Sequence, residues 1–235
     1  MEAGNEGEHV LTIEELTRIF SVLSHDLKSP IFSIDGFSDL LLGDYNDKLD
    51  EEGQDFLRRI RSSAQQMKKV LDEMSHLIKL LARPNARRPA PLREILEEVI
   101  LRCNYQIEEE GVKIEIPDEL PTVNVDFEKM REAIGALFNN ALFFNDRPKG
   151  ARTITIDGAV GPDGYRLCIR DNGIGIDPRY TNQIFELGLK LDKSRGGGPG
   201  YGLYLARRII ESHGGTISVE SVLDQGTAVC LTIPS

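Results

Sequence analysis

The hydrophobic period of this chain stops being purely helical at RPNARRPAP, residues 83–91. Up to residue 82 every apolar stripe has helical spacing. Leu16, Ile19, Phe20, Leu23, Leu27, Ile31 and Ile34 fall within about 60° of one direction at the helical step. Turn formers and acids in GDYNDKLDEEG then end one helix and start another. Phe56, Ile60, Met67, Leu71, Met74, Ile78 and Leu81 make the second stripe. Two long amphipathic helices joined by a short turn cannot hide both stripes from water. The expected solution is an antiparallel hairpin that pairs with a second copy, giving a homodimer built on a four-helix bundle.

The 83–91 segment holds three prolines and three arginines and reads as a linker between domains at 1–82 and 92–235. After it helices and strands mix. Residues 92–110 and 127–143 have helical patterns, the first closed by Gly111. VKIEI and PTVNVD read as short strands, and TITIDGAV with YRLCIRD as a hairpin turning at GPDG. A glycine-rich segment leads to a last helix, YGLYLARRIIESHGG, and a last hairpin, TISVES with GTAVCLTI. The fold class expected is a helical hairpin followed by an α+β sandwich with an antiparallel or mixed sheet.

Composition narrows the function classes. Hydrophobic residues at 40% and charged residues at 28% of 235 exclude wholesale disorder. No apolar run is long enough for a membrane span, and the acidic start MEAGNEGEHV is unlike a secretory signal. A formal net charge of −10 makes duplex nucleic acid a poor partner. Cys103, Cys168 and Cys230 are widely spaced and read as unpaired, buried residues in a reducing compartment. The expectation is a cytoplasmic protein, or the cytoplasmic portion of a larger one.

One histidine stands out on the first helix. His25 lies about 180° from the centre of its apolar stripe, so it faces solvent or a partner. Asp26 flanks it, and Ser29 is one turn further along nearly the same face. Pro30 removes the hydrogen bond to the carbonyl of Asp26 and should kink the helix there. An exposed neutral imidazole is a competent nucleophile, and a carboxylate beside it can fix its tautomer or take its proton. His9 sits in a polar tail, and His76 and His213 lack an acidic neighbour in sequence, so none of the three is given a role.

The string IFSVLSHDLKSPIFSIDGF resembles the phosphoacceptor box of the sensor histidine kinases of two-component systems. Three further segments follow in that family's order: REAIGALFNNALFFND, RDNGIGIDP and GGGPGYGLYLARRIIESHGG. Together they span residues 19–215, nearly the whole chain. The resemblance implies that His25 is phosphorylated, with Asp26 as acid/base and Ser29 at the position linked to dephosphorylating the partner. It implies the Bergerat fold of the histidine-kinase and Hsp90-like ATPases, binding ATP with Mg2+. Asn140 would hold the metal through its side-chain oxygen, and Asp171 would accept the adenine amino group. Gly173 and Gly175 would let the backbone approach the nucleotide. Gly198, Gly200, Gly202 and Leu203 would bring a glycine loop and a helix start to the phosphates. IFELGLKLDKSRGGG resembles the lid over that site, with Phe185 packing it and Lys190 or Arg195 meeting phosphates. The implied partner is the receiver domain of a response regulator.

The chain departs from that family at several points. Ala136 replaces an Asn, Phe143 a Lys, Tyr201 a common Leu, and Lys190 the lid Arg, while Lys193 or Arg152 could supply a missing cation. The alternative implied by these changes is a pseudokinase, a dimeric signalling scaffold with little phosphotransfer.

Overall fold

The computed structural model describes residues 12–145, 150–189 and 200–234. The chain divides into two compact units, Met1–Arg83 and Pro84–Ser235.

The first unit is a helical hairpin of α1 (Ile13–Asp44) and α2 (Glu51–Ala82). Thr12 starts α1 with a capping box: its hydroxyl accepts the Glu15 N–H and the Glu15 carboxylate accepts the Thr12 N–H. The helix runs without interruption across Pro30. A short 3-10 turn, Asn46–Lys48, reverses the chain, and Asp50 caps α2 by accepting the Gly53 N–H at 2.8 Å. Antiparallel register is fixed by Lys28–Asp72, Arg61–Asp39 and the Gln65 amide on Asp35.

Each helix buries only a narrow seam against the other. On α1 the buried residues are Ser24, Ile31 and Ser38, seven residues apart; on α2 they are Ala64 and Leu77. The heptad step is that of a coiled-coil seam. The broad apolar stripe read from the sequence is therefore mostly left open within one chain. Leu23 is 53% exposed, Leu27 49% and Ile60 47%.

The second unit is an α+β layer. Its strands are β1 (Arg88–Pro91), β2 (Lys113–Glu115), β3 (Thr122–Val125), β4 (Thr153–Gly161), β5 (Gly164–Asp171), β6 (Thr216–Val222) and β7 (Gly226–Ile233). Its helices are α3 (Leu92–Glu110), α4 (Phe127–Phe143) and α5 (Gly202–Ser212). The main sheet runs β2-β4-β5-β7-β6, antiparallel except for the parallel β2–β4 pair. β1 and β3 form a separate antiparallel pair. Part of the segment read as a linker is thus a strand of the second unit, and its prolines sit where a two-stranded pair can spare donors.

Helical period places Leu92, Ile95, Leu96 and Val99 of α3 and Met130, Ile134, Leu137 and Phe138 of α4 in the core. Leu205, Ile209 and Ile210 of α5 join Leu167, Ile169, Val229 and Leu231 of the central strands. Gly111, at φ +63, ends α3 in the left-handed conformation that a side chain would resist. Cys168 and Cys230 face each other on β5 and β7 and form a disulfide. That corrects the reading of three unpaired cysteines; Cys103 alone is free and buried.

Candidate functional site

On the hairpin, His25 and Asp26 stand out from α1, with side chains 88% and 71% exposed. His25 Nδ1 lies 3.2 Å from Asp26 Oδ1. In the tautomer with its proton on Nδ1, the ring donates to that carboxylate and Nε2 carries the lone pair. Ser29 is exposed on the same helix, and its carbonyl accepts the Ser33 hydroxyl at 3.2 Å. A recess of about 200 Å³ beside His25 is lined by Ser24, Lys28, Ser75 and Lys79, among others. The Lys28 ammonium is 2.6 Å from Asp72.

In the second unit Asn140 lies near the C-terminal end of α4, and Asp171, Gly173 and Gly175 at and just after the end of β5. Asp126 caps α4, accepting the Lys129 N–H, and so holds the helix that carries Asn140. At the far end the Phe144 N–H bonds the Asn140 carbonyl, and the Phe144 carbonyl accepts the Ile174 N–H at 3.1 Å. Asn140 therefore lies two backbone hydrogen bonds from the DNGIGI loop. Its half-buried side chain shares a helix face with Ala136 and Phe143. Phe143 remains 36% exposed and packs edge-on against Phe144. Asn139 diverges from Asn140, accepting the Cys103 thiol at 3.2 Å, so it belongs to the α3 side.

Asp171 ends β5 with its Oδ1 accepting the Gly173 N–H at 2.8 Å and the Thr227 N–H at 3.3 Å. Gly173 crosses the end of α4 so closely that a Cβ would overlap the Phe144 carbonyl oxygen. Gly175, at φ +67, passes against the Val222 carbonyl in the same way. These two glycines are thus required by backbone crossing within the fold.

Four polar residues at this site carry no role in the sequence reading. Asn172 clamps the start of β4, accepting the Thr153 N–H and donating to the Ala151 carbonyl. Asn145 donates to the Thr153 carbonyl from a fully buried position, and its Oδ1 has no hydrogen-bond partner among the described residues. Ser221 and Thr227 share a hydroxyl contact of 3.0 Å behind Asp171, and Ser221 also accepts the Ile176 N–H. Their only sequence signal is the polar pair ending one strand and starting the next.

Phe185 is buried, at 7% exposure, at the root of the lid segment. The Gly188 N–H bonds the Gly200 carbonyl at 3.0 Å and closes the base of that segment. Lys190, Lys193, Arg195 and Gly198 lie outside the described residues. Gly202 opens α5 and Leu203 follows it, with no side-chain cap from Tyr201. Amides at such a helix start are available to an anion. Arg152, the other cation suggested by sequence, pairs with Glu110 at 2.9 Å. Arg179 holds the Asp177 carboxyl at about 2 by hydrogen bonding to it.

Among the described residues no group of three or more His, Cys, Asp or Glu side chains could hold a metal. The Asn140 amide oxygen is a donor of the kind a hard cation takes when phosphates and water supply its other ligands.

The chain thus joins a hairpin that exposes a histidine to an α+β domain with an acid at the end of a central strand and an asparagine near the end of a helix. Residues 15–83 match the His Kinase A (phospho-acceptor) domain, and residues 125–235 the Histidine kinase-, DNA gyrase B-, and HSP90-like ATPase family. Cyanobacterial phytochrome B of a Nostoc species is 32% identical over 94% of this chain and 29% of its own length. The methanogenesis regulatory histidine kinase FilI of Methanothrix harundinacea is 31% identical over 94% of this chain and 25% of its own. The crystal structure of full-length ShkA in complex with AMPPNP shares the fold, with a TM-score of 0.68 at 24% identity over 93% of this chain and 47% of that one. The chain belongs to the sensor histidine kinases. It spans less than a third of the length of these two curated relatives.

Proposed function

We propose that this chain is the catalytic core of a sensor histidine kinase, which phosphorylates His25 from ATP and passes the phosphoryl group to an aspartate of a response-regulator receiver domain. The observation that carries the reading is the exposed His25 imidazole, hydrogen-bonded at 3.2 Å to Asp26. Asp26 holds the Nδ1 proton and leaves Nε2 as nucleophile. As Nε2 bonds the γ-phosphorus and the bond to the ADP oxygen breaks, positive charge develops on the ring. Asp26 is placed to stabilise that charge and take the Nδ1 proton.

In the second unit, Asp171 would accept the adenine amino group while its other contacts keep it oriented. The backbone at Gly173 and Gly175 would line the base, and Gly200, Gly202 and Leu203 would meet phosphates, joined by Gly198 and Lys190 of the lid. Phe185 anchors the lid's root. Asn140 would supply one oxygen to Mg2+, which neutralises charge on the phosphates. Ser29 would aim a water at the receiver's phosphoaspartate. The open apolar face of the hairpin fits a second copy, which makes the protein a homodimer.

No helix among the described residues is long and apolar enough to cross a membrane. We place this core in the cytoplasm, where its nucleotide is. The test is labelling from [γ-32P]ATP with Mg2+ of the wild type and His25→Ala in parallel. Acid-labile, alkali-stable label on the wild type alone is expected. ATP binding with no label on either would overturn the reading in favour of a scaffold.

A further inference from the structure

The segment that enters the second unit is pinned by a buried polar cluster far along the chain from it. Asn85 donates to the Ser212 carbonyl at 2.8 Å, at the end of α5, and accepts the Lys129 ammonium at 2.8 Å. The Ala86 N–H donates to Asp126 Oδ2 at 2.9 Å, and Arg87 donates to the Ser212 carbonyl at 3.2 Å. His213 completes the cluster: Nδ1 lies 2.8 Å from the Ile209 carbonyl while Nε2 accepts the Asp126 N–H at 3.0 Å. Asp126, Lys129 and His213 are each at most 3% exposed. A lysine this deeply buried is rare, and a partnered one costs much to disturb. This one points its charge at the connecting segment.

The Ala82 end of α2 and the pinned Asn85 are separated by Arg83 and Pro84 alone. We infer that Asn85 and Lys129 are positioning residues: they staple residues 85–87 to the ATP-binding unit and reduce the connection between His25's helical hairpin and the nucleotide site to two residues. The inference rests on the kinase reading above. On this inference two residues are enough to span the two sites; beyond the spanning length, effective concentration falls as roughly the −3/2 power of connection length. Releasing residues 85–87 lengthens the connection from two residues to five, so autophosphorylation should slow about fourfold.

The experiment uses the full chain carrying Asn85→Ala with Lys129→Met. Amide exchange of residues 85–88 should rise at least about tenfold, a change set by opening of local hydrogen bonds. Exchange in β5 and β7 and the KM for ATP should stay at wild-type values, while kcat for autophosphorylation falls about fourfold. Unchanged exchange at 85–88 would overturn the staple. Raised exchange with unchanged kcat, or a kcat loss accompanied by a KM rise, would overturn the positioning role. If the double variant does not fold, Asn85→Ala alone, which removes the Ser212 and Lys129 contacts of Asn85 but leaves the Lys129 side chain in place, is read by the same criteria. Exchange is measured without ATP, so a wild type that takes no label would sink the kinase reading and leave the staple tested.

Discussion

The Nδ1 atom of His25 is 3.2 Å from Oδ1 of the residue next to it, Asp26, and both side chains project into solvent from the middle of a 32-residue helix. Adjacent residues on a helix diverge by about 100°, so such a contact needs both side chains to lean together. The contact engages Nδ1 with the Asp26 carboxylate, and the proposed phosphorylation uses the other nitrogen, Nε2. Asp26→Asn keeps the shape but removes the proton acceptor. Its initial labelling rate from ATP should fall by about 10²–10⁴ while the KM for ATP is unchanged. His25→Ala should take no label at all.

Asp171 spends one carboxylate oxygen on the Gly173 and Thr227 amides. Asp171→Ala removes both that support and the acceptor proposed for adenine. Loss of charge-assisted hydrogen bonds worth about 1.5–3 kcal/mol should weaken ATP by about tenfold to a hundredfold in a titration of the intact chain. The unfolding midpoint should drop as well.

Gly226 begins β7 at φ +110, and a Cβ there would overlap the Asp171 carbonyl oxygen. Both the conformation and the overlap oppose any side chain. Gly226→Ala should destabilise the second unit by about 2–4 kcal/mol in a denaturant titration. Gly36→Ala, with open space at its Cβ, is the control and should not destabilise the hairpin.

His213 gives a pH dependence of stability. Burial pushes its imidazole below the ordinary 6.5, against the opposing pull of the Ile209 carbonyl, with Arg87, Asp126 and Lys129 also facing it. The unfolded chain therefore takes up a proton at this residue at higher pH than the folded chain does. Its contribution is complete above about pH 6.5 and is lost as pH falls toward the depressed folded value. Thermal unfolding midpoints below pH 6.5 should decline less steeply for His213→Gln than for the wild type.

Thiol counting checks the β5–β7 pairing. Alkylation of the denatured, unreduced chain should modify Cys103 only, and reduction beforehand should expose Cys168 and Cys230 as well.

Periodicity made the helices legible because burial on one side of a helix leaves a mark every three or four residues. The spans 92–110 and 127–143 read from sequence coincide with α3 and α4. The expected β-hairpins also formed, since alternating residues bounded by glycine leave few alternatives. Arg88–Pro91 did not look like a strand because prolines mask the pattern, and only pairing with β3 makes it one. Thr227 and Ser221 were not legible either, since a hydroxyl near a turn is ordinary until a distant carboxylate lies beside it.

By itself the sequence determined the two-part organisation, the outward direction of His25 and the order of the motifs around Asn140 and Asp171. All of these follow from local periodicity or from strings of a few residues. Only the tertiary structure decided that Cys168 meets Cys230, 62 positions later, and that Lys129 reaches back to Asn85. It also decided that the Gly173 backbone must pass against the end of α4. Those relations depend on strand register and on buried polar groups finding partners, which are properties of the packed chain that no local window of residues carries.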